Sequence, residues 1–485
     1  MTSAYPAALG QPIWEWFDSV YFFMWPGWRD QLESNRWHWG KRWAQRLPVV
    51  FIQPELATGL KWRAQPEDRL DNVVLLSIEN ASSDLSRLLL VGLRQAGQLM
   101  EYMRAQGHRR SLFWLYNSFL APAYLVLPGS ARVFHGTENY FDFDGLDDDA
   151  LNLNRFAIEA SDVVICCSNG VARGFAAHTR CTNPLVIPNG CEYQKYRSAS
   201  EPIGEWPRRI ADWCGTYRDL AVFAGNINLR LDYELMIQVA RRQPDIGFIY
   251  AGPVDIENLS PAQRQAWHRL VALPNVCALG RVPAEDLPAL YWRCQVGIIP
   301  YRSDMPMIVE NGFPLKAIEM AAAGLPVVST LMKPLLEVPE AVVVTGSAEA
   351  FCANVATNSR RSLSPEARAA ADRVCRAHDY DLLFDQMLAE LRKQVPARGS
   401  APGGLAALAD RLGTPAYTAM LARLAEIPGA PQRATPVMGA DLKDESFARP
   451  TVIGVLASFL SARIPPPIRR AIPAPVRRLA RHLIA

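Results

Sequence analysis

Short apolar runs alternate with longer amphipathic stretches along the first 195 residues of the chain. Each run has the length of a buried strand, and the stretches between the runs are long enough for helices. A helix is predicted over NRWHWGKRWAQRL, capped by Ser34 or Asn35, and another from Ser83 or Asp84 to about Gly107. The predicted strands are VYFFM from Val20, PVVFIQP, VVLLSI from Val73, SLFWLY, ARVFHG, DVVICCS and PLVIPNG.

The same alternation restarts after a looser polar stretch between Lys195 and about Arg218, which is predicted to be a linker. Alternating strands and helices are typical of a parallel sheet covered by helices on both faces. The sequence therefore predicts an α/β protein with two facing, doubly wound, Rossmann-like domains that bind ligands at the carboxyl ends of their strands. The predicted elements of the second domain are LAVFAGNI, a helix from Asp232, IGFIYAGP, NVCALGRV, a helix near Asp286, QVGIIPY, a further helix and LPVVST.

Length and composition agree with two domains and an extension. A chain of 485 residues with 49% hydrophobic residues can fill two sizeable cores. The predicted division is a first domain at 1–195, a linker at 196–218, a second domain at 219–395 and a C-terminal extension at 396–485.

Charge and cysteine usage narrow the class of protein. A net charge of +3 over this length gives no reason to expect a nucleic-acid partner. The nine cysteines lack metal-binding spacing, and Cys166 and Cys167 lie in an apolar run, so core thiols in a reducing compartment are expected. No leader pattern or clean apolar run of about 18 residues is recognisable, which favours a cytoplasmic protein.

Seven of the 13 tryptophans lie near the N-terminus. Their rings could stack on sugars, lie at a lipid interface, or pack the edge of the first domain. They are Trp14, Trp16, Trp25, Trp28, Trp37, Trp39 and Trp43.

The C-terminal extension ends in a basic tail. Residues 451–485 contain no acidic residue, and two short amphipathic segments flank a PPP sequence. Such a tail suits an anionic membrane surface or an acidic patch on a partner protein. The protein is therefore expected in the cytoplasm, free or peripheral on the inner face of the membrane. The arginines of the tail are Arg463, Arg469, Arg470, Arg477, Arg478 and Arg481.

The segment from Tyr301 to Thr330 combines an irregular loop, a helix and a buried strand. The helix carries Lys316 and Glu319 in its first turns and ends near Gly324. A helix start with a lysine can hold an anionic group such as a diphosphate, and a carboxylate one turn further can accept hydrogen bonds from sugar hydroxyls. The alternative is an ordinary helix-to-strand unit with surface charges.

The sequence NGFPLKAIE at 311–319, followed by AAAGLPVVST, resembles the nucleotide-sugar site of retaining glycosyltransferases of the GT-B fold, family 4 or group 1 type, in a polysaccharide-assembly branch. The resemblance implies that Glu319 binds the ribose of the donor. Two positions depart from the family pattern: Asn311 replaces a carboxylate, and Pro314 replaces a glycine and removes an amide donor. The residues that the resemblance assigns to donor binding are Arg230, Glu310, Asn311, Gly312, Phe313, Leu315, Lys316 and Glu319.

Two further matches extend the resemblance. VIPNGCEYQKY from Val186 resembles the end of the family's first domain, and GNINLRLDYELM from Gly225 resembles its phosphate-binding loop. Arg230 occupies the lysine position of that loop, and its planar guanidinium suits phosphate oxygens. The alternative for Arg230 is a surface ion pair with Asp232.

His135 ends the run ARVFHG, where family members often carry a histidine near the transferred sugar. The resemblance implies a catalytic role shared with Glu319, in which His135 hydrogen-bonds the donor sugar; the alternative is a structural histidine. No metal or other cofactor is expected, because Arg230, Lys316 and helix dipoles can neutralise the leaving diphosphate.

The resemblance implies a glycosyltransferase that moves a sugar from a nucleoside-diphosphate sugar to a glycan or lipid-linked acceptor, in surface or exopolysaccharide biosynthesis. Alternatives are a GT-B epimerase, a phosphorylase, for which no Schiff-base lysine is recognisable, or a catalytically inactive GT-B protein that binds glycan or scaffolds an assembly. The departures at Asn311 and Pro314 keep the last alternative open.

Overall fold

The computed structural model describes residues 12–24, 33–56, 62–80, 88–116, 120–127, 129–142, 148–198, 200–360 and 363–397. Two sheets lie between layers of helices, as predicted. The Trp25–Trp28 segment, the start of the second predicted helix and the basic tail lie outside the described residues.

The first sheet has eight strands in the order β3-β4-β2-β1-β5-β6-β7-β8. Its strands are β1 (Ser19–Phe23), β2 (Val49–Leu56), β3 (Arg63–Pro66), β4 (Val73–Asn80), β5 (Ser111–Leu115), β6 (Ala131–Gly136), β7 (Val163–Cys166) and β8 (Leu185–Val186). Its helices are α1 (Asn35–Ala44), α2 (Leu88–Gln106), α3 (Ala121–Val126), α4 (Asp148–Ala160) and α5 (Asn169–His178). All its strand pairs are parallel except β3 with β4. The apolar pattern missed β3, because its four residues are mostly exposed.

The strands of this sheet are buried on both faces. In β1, Tyr21 and Phe23 belong to one core cluster, while Val20 and Phe22 belong to the cluster on the opposite face. Successive side chains of a strand point to opposite faces, so a strand covered on both sides must be apolar throughout.

The segment predicted as a linker is not a loose connection. It contains the end of α6 (Tyr193–Arg197) and all of α7 (Trp206–Thr216). Trp206 and Ile210 of α7 are buried in the core of the second domain. The prolines and scattered tryptophans of this segment are typical of a loop, so its amphipathic helix α7 was not predicted from the sequence.

The second sheet has six parallel strands in the order β11-β10-β9-β12-β13-β14. Its strands are β9 (Asp219–Ala224), β10 (Ile246–Ala251), β11 (Val276–Gly280), β12 (Val296–Ile299), β13 (Val327–Thr330) and β14 (Val342–Thr345). Its helices are α8 (Tyr233–Arg242), α9 (Pro261–Val271), α10 (Leu287–Tyr291), α11 (Pro306–Asn311), α12 (Leu315–Ala322), α13 (Ala348–Arg360) and α14 (Pro365–Ala377). The strand order reverses between β9 and β12, so the crevice for a ligand lies at their carboxyl ends. The predicted irregular loop before the site helix contains the short helix α11.

The last described helix, α15 (Tyr380–Ala397), follows the second sheet in the chain but packs on the first. Its Tyr380 and Phe384 are buried against Trp39 and Trp43 of α1. The chain therefore connects the two domains twice, and the two crossings meet where Tyr380 N–H donates to the Cys191 carbonyl at 3.1 Å.

The N-terminal tryptophans within the described residues pack the first domain. Trp37, Trp39 and Trp43 are buried in its core, and Trp14 and Trp16 lie against that core. Packing is therefore the role of these five rings.

Candidate functional site

Two glycines shape the backbone at the carboxyl ends of β9 and β10. Gly225 has φ +144° and Gly252 has φ +154°, a conformation that side chains disfavour. A Cβ on Gly252 would lie 2.0 Å from the Gly225 carbonyl oxygen, and a Cβ on Gly225 would lie 2.6 Å from Lys316 Nζ. These glycines therefore allow the backbone and the Lys316 ammonium to approach closely at the switch point of the sheet.

Lys316 points at this switch point from the first turn of α12. Its Nζ donates a hydrogen bond of 2.8 Å to Tyr301 Oη and lies 4.6 Å from the centre of the Phe223 ring. Burial raises the pKa of Tyr301, but Lys316 and Arg230 lower it by more, so the net shift is downward. The phenol oxygen thus lies in the field of two cations.

The loop that carries Arg230 is joined to the loop that follows β12. The Arg302 N–H donates to the Arg230 carbonyl at 2.8 Å, and the Asp232 N–H donates to the Pro300 carbonyl at 2.9 Å. These bonds hold Arg230 near Tyr301, whose hydroxyl also accepts a hydrogen bond from Lys316; the diphosphate site stays a prediction.

Arg230 does not pair with Asp232, the ion-pair alternative that the sequence suggested. The Asp232 carboxylate instead caps α8 by accepting the Leu235 N–H at 2.9 Å. The Arg230 guanidinium pairs with Glu138, which follows β6 in the other domain. Burial lowers the pKa of Arg230, but Glu138 and Tyr301 raise it by more, so the guanidinium stays charged.

Glu310 and Asn311 lie at the end of α11. Glu310 Oε1 pairs with Lys333 Nζ at 2.6 Å. The Asn311 Nδ2 donates to Asp142 Oδ2 at 2.9 Å, and the Asn311 carbonyl accepts the Ser168 hydroxyl at 3.0 Å. Asn311 is therefore buried at the contact between the domains.

The next residues of the motif continue this contact. Gly312 ends α11, its N–H donating to the Ile308 carbonyl at 2.9 Å. The Phe313 ring stacks on His378 with centres 5.7 Å apart, and Leu315 lies half-buried against the first domain's core.

A buried hydrogen-bond chain connects the Phe313 backbone to the first sheet. The Tyr116 hydroxyl donates to Asn35 Oδ1 at 3.2 Å, and Asn35 Nδ2 donates to Asn189 Oδ1 at 2.7 Å. Asn189 Nδ2 then donates to the Phe313 carbonyl at 2.7 Å. The asparagine of the PNG segment thus joins the two domains at the predicted donor motif.

Glu319 is more buried than the sequence suggested. A carboxylate that holds the donor ribose is expected at the cleft and not in a core, whereas only 8% of the residue is exposed. Burial raises the pKa of Glu319 to about 7, opposed by Lys195 and by a hydrogen bond with Tyr196. The contact of Glu319 with the ribose stays a prediction, which its buried position and raised pKa make worth testing.

His135 lies at the carboxyl end of β6 with no exposed surface. Its ring stacks on Tyr116 at 5.1 Å and contacts Trp39 and Trp114, each at 5.7 Å between centres. Within the described residues neither ring nitrogen has a hydrogen-bond partner. Burial, with a smaller contribution from Arg36, lowers the pKa of His135 to about 3, so the ring is neutral. Its contact with a donor sugar stays a prediction, and would require the aromatic side chains to move.

Sequence reasoning missed Tyr301, Glu138 and Tyr196. Tyr301 is the last residue of the predicted strand QVGIIPY, and Glu138 lies two residues beyond the predicted strand ARVFHG, so both occupy positions where sites form in α/β sheets. Tyr196 had no such signal, because it lay in the presumed linker.

All nine cysteines are free thiols, and both Cys166 and Cys167 are buried as predicted. Among the described residues, no group of three or more His, Cys, Asp or Glu side chains could hold a metal ion. None of the described helices has the length and apolar character needed to cross a membrane.

Residues 220–358, which span the second sheet, match the family described as Glycosyl transferases group 1. Over 175 residues the chain is 29% identical to a Bacillus subtilis (strain 168) protein named "Putative teichuronic acid biosynthesis glycosyltransferase TuaH". That alignment covers 36% of this chain and 41% of the relative, so the chain spans about two-fifths of the relative's length.

Solved structures resemble the chain over most of its length. Sucrose-phosphate synthase from Thermosynechococcus elongatus superposes with a TM-score of 0.60 at 14% identity, covering 79% of this chain and 100% of that chain. Anabaena HepE, in complex with UDP and glucose, gives 0.58 at 14% identity, covering 77% and 99%. At these identities the likeness shows the fold, which is GT-B with two Rossmann-like domains, as the sequence predicted.

Proposed function

We propose that this chain, whose residues 220–358 form a glycosyltransferase group 1 domain, transfers a sugar from a nucleoside-diphosphate sugar to a glycan or lipid-linked acceptor with retention of configuration. The observation that carries the proposal is the cluster of Arg230, Tyr301 and Lys316 at the switch point of the second sheet. Two cations beside a glycine-shaped backbone suit a diphosphate.

The proposed mechanism uses the leaving diphosphate as the base. Its oxygens gain negative charge as the sugar departs, and Arg230 and Lys316 stabilise that charge. The same oxygens accept the proton of the incoming acceptor hydroxyl on the face from which the diphosphate leaves. The sugar therefore keeps its configuration without a protein nucleophile, and the protein supplies positioning.

The remaining predicted residues have supporting roles in this proposal. Glu319 holds the ribose and His135 contacts the donor sugar. The motif residues Glu310, Asn311, Gly312, Phe313 and Leu315 form the donor-side wall where the domains meet. The first domain takes the acceptor.

The pathway we propose is surface or exopolysaccharide assembly, supported by the name of the Bacillus relative. A lipid-linked acceptor places the reaction at the inner face of the membrane, where residues 451–485 would bind anionic lipid. Each of the six tail arginines is worth about 1 kcal/mol near such a surface. Deleting 451–485 should release the protein from anionic vesicles in a sedimentation assay. Retention of the truncated chain on the vesicles would contradict the tail's role.

The test of the function begins with donors. UDP, ADP, GDP and dTDP sugars are screened by thermal shift, and any sugar donor that binds is assayed for hydrolysis and for transfer to glycan acceptors. The anomeric configuration of the product is read by NMR. Binding without turnover would favour the inactive GT-B alternative, and formation of an epimerised sugar nucleotide would favour an epimerase. Absence of binding to every donor would refute the proposal.

A further inference from the structure

The two cations of the diphosphate cluster have partners of different charge. Lys316 donates to a neutral phenol, Tyr301, at 2.8 Å. Arg230 pairs with a carboxylate, that of Glu138. Glu138 belongs to the first domain and Arg230 to the second, so this ion pair crosses between the two sheets.

Glu138 follows a close backbone contact in the first domain. It lies two residues beyond Gly136, where an added Cβ would lie 2.4 Å from the Phe175 ring, so the chain passes closely over α5 here. Glu138 and Arg230 keep 28% and 38% of their side chains exposed. Both side chains are therefore partly open to solvent, so a ligand of higher charge can reach the pair and exchange with one partner.

Arg230 cannot bind a diphosphate and the Glu138 carboxylate together without an electrostatic penalty. Both are anions, and at Arg230 they would lie within a few ångströms of each other, where like charges repel. The diphosphate carries more charge and more acceptor oxygens, so it is the stronger partner for the guanidinium fork.

We propose that Glu138 competes with the nucleoside diphosphate for Arg230 and thereby limits how tightly the donor and the product are held. Glu138 is then a positioning residue that acts through Arg230. Donor binding exchanges a cross-domain ion pair for a contact within the second domain, and Glu138 returns to Arg230 when the product leaves. This inference rests on the proposed function.

The test compares binding of UDP, or whichever of ADP, GDP and dTDP binds, and of inorganic pyrophosphate by calorimetry. Glu138→Gln keeps the size of the side chain and removes its charge, and Glu138→Ala is a second variant. Each should raise affinity for both ligands about 3- to 5-fold, with a smaller gain at high salt. In an Arg230→Ala background, Glu138→Gln should give no gain.

The matched control is Glu285→Gln, because Glu285 forms another cross-domain pair, with Arg69 at 3.6 Å, outside the cluster. It should leave affinity unchanged. Equal gains in both glutamine variants would mean that general loosening of the domains is the cause, and would overturn the proposal. Unchanged or weaker binding in folded Glu138 variants would also overturn it, leaving the proposed function intact. If the wild-type chain binds none of these ligands, the proposed function fails and this inference with it.

Discussion

The carboxyl ends of the central strands occupy equivalent places in the two sheets, but most of the described side chains there differ in polarity and exposure. In the second sheet this place holds charged, partly exposed side chains around the Gly225 backbone. In the first sheet, the side chains that follow β5 and end β6 are aromatic or neutral, and Tyr116 and His135 have no exposed surface. Within the residues that the structure describes, the same topological place therefore carries different side chains in the two sheets.

The two strand ends differ because different elements pack over them. Helices α1 and α15 close over the first, where Trp39 lies between His135 and Tyr380. At the second, the loops carrying Arg230 and Tyr301 bond to each other, and the Arg230 guanidinium faces the first domain, where it pairs with Glu138. His135 therefore packs in a core of the first domain, whereas Arg230 and Lys316 form a cluster suited to binding anions.

The largest expected effect tests the packed region. Trp39→Ala removes a fully buried ring shared by α1, α15 and the first sheet, and should lower the free energy of unfolding by about 3–5 kcal/mol, measured by urea denaturation. Trp292→Ala is the control, because that ring is 43% exposed, and should cost about 1 kcal/mol. Equal losses in the two variants would break the comparison.

Glu319 tests whether the second region depends on a buried carboxyl group. Glu319→Ala should lower the rate of sugar transfer about 100-fold while the protein stays folded. It removes the hydrogen bond that the ribose hydroxyl donates to the carboxylate, which is worth about 1.5–3 kcal/mol. Wild-type turnover in a folded variant would remove Glu319 from the site.

The same residue makes stability depend on pH. Its pKa in the folded chain, about 7, lies above the ordinary value of 4.5, so the unfolded chain loses this proton first as pH rises. Its contribution is full below 4.5 and is lost as pH rises through about 7, on the order of 3 kcal/mol in all. The charged and titratable groups around it include Lys195, Glu33, Tyr196, Lys316, Cys191, Tyr291 and Tyr380. Glu319→Gln should remove this slope in denaturation at several pH values, and an unchanged slope would contradict the assignment.

Each of the two cations of the second region should contribute to nucleoside-diphosphate binding, but their contributions should not be additive. Arg230→Ala and Lys316→Ala should each weaken nucleoside-diphosphate binding by about 1.5–3 kcal/mol in calorimetric titrations. The double variant should lose less than the sum, because both hold one diphosphate. The control is Arg269→Ala, an exposed arginine of α9 paired with Glu234. Unchanged affinity in both single variants would exclude the site.

The smallest expected effect concerns His135. His135→Phe replaces a neutral ring, whose nitrogens have no hydrogen-bond partner in the part of the chain that the structure describes, with an apolar ring. The free energy of unfolding should therefore be unchanged or up to about 1 kcal/mol higher. A fall in transfer with unchanged nucleotide affinity would support the sugar contact. A loss of stability above about 2 kcal/mol would show that the ring makes a hydrogen bond that the packing argument omits.

Much of the fold could be predicted because its signals are local. A buried parallel strand must be apolar throughout, so each run identified a strand without knowledge of its neighbours. Gly324 was predicted to end the site helix, and it does so with φ +87°. The exposed β3 and the tryptophan-containing α7 were not predicted, because their local sequence patterns are those of loops.

By itself, the sequence determined the two doubly wound domains and the positions of Arg230 and Lys316 at strand and helix ends. The tertiary structure decided which groups these charged side chains pair with. Arg230 had Asp232 two residues away, but that carboxylate caps α8, and the guanidinium pairs with Glu138, 92 residues distant. The return of α15 to the first sheet and the burial of Glu319 beside Tyr196 likewise depend on contacts between distant segments. Local sequence fixes backbone conformation, whereas the partner of a charge depends on which groups folding brings near it and which are already bonded.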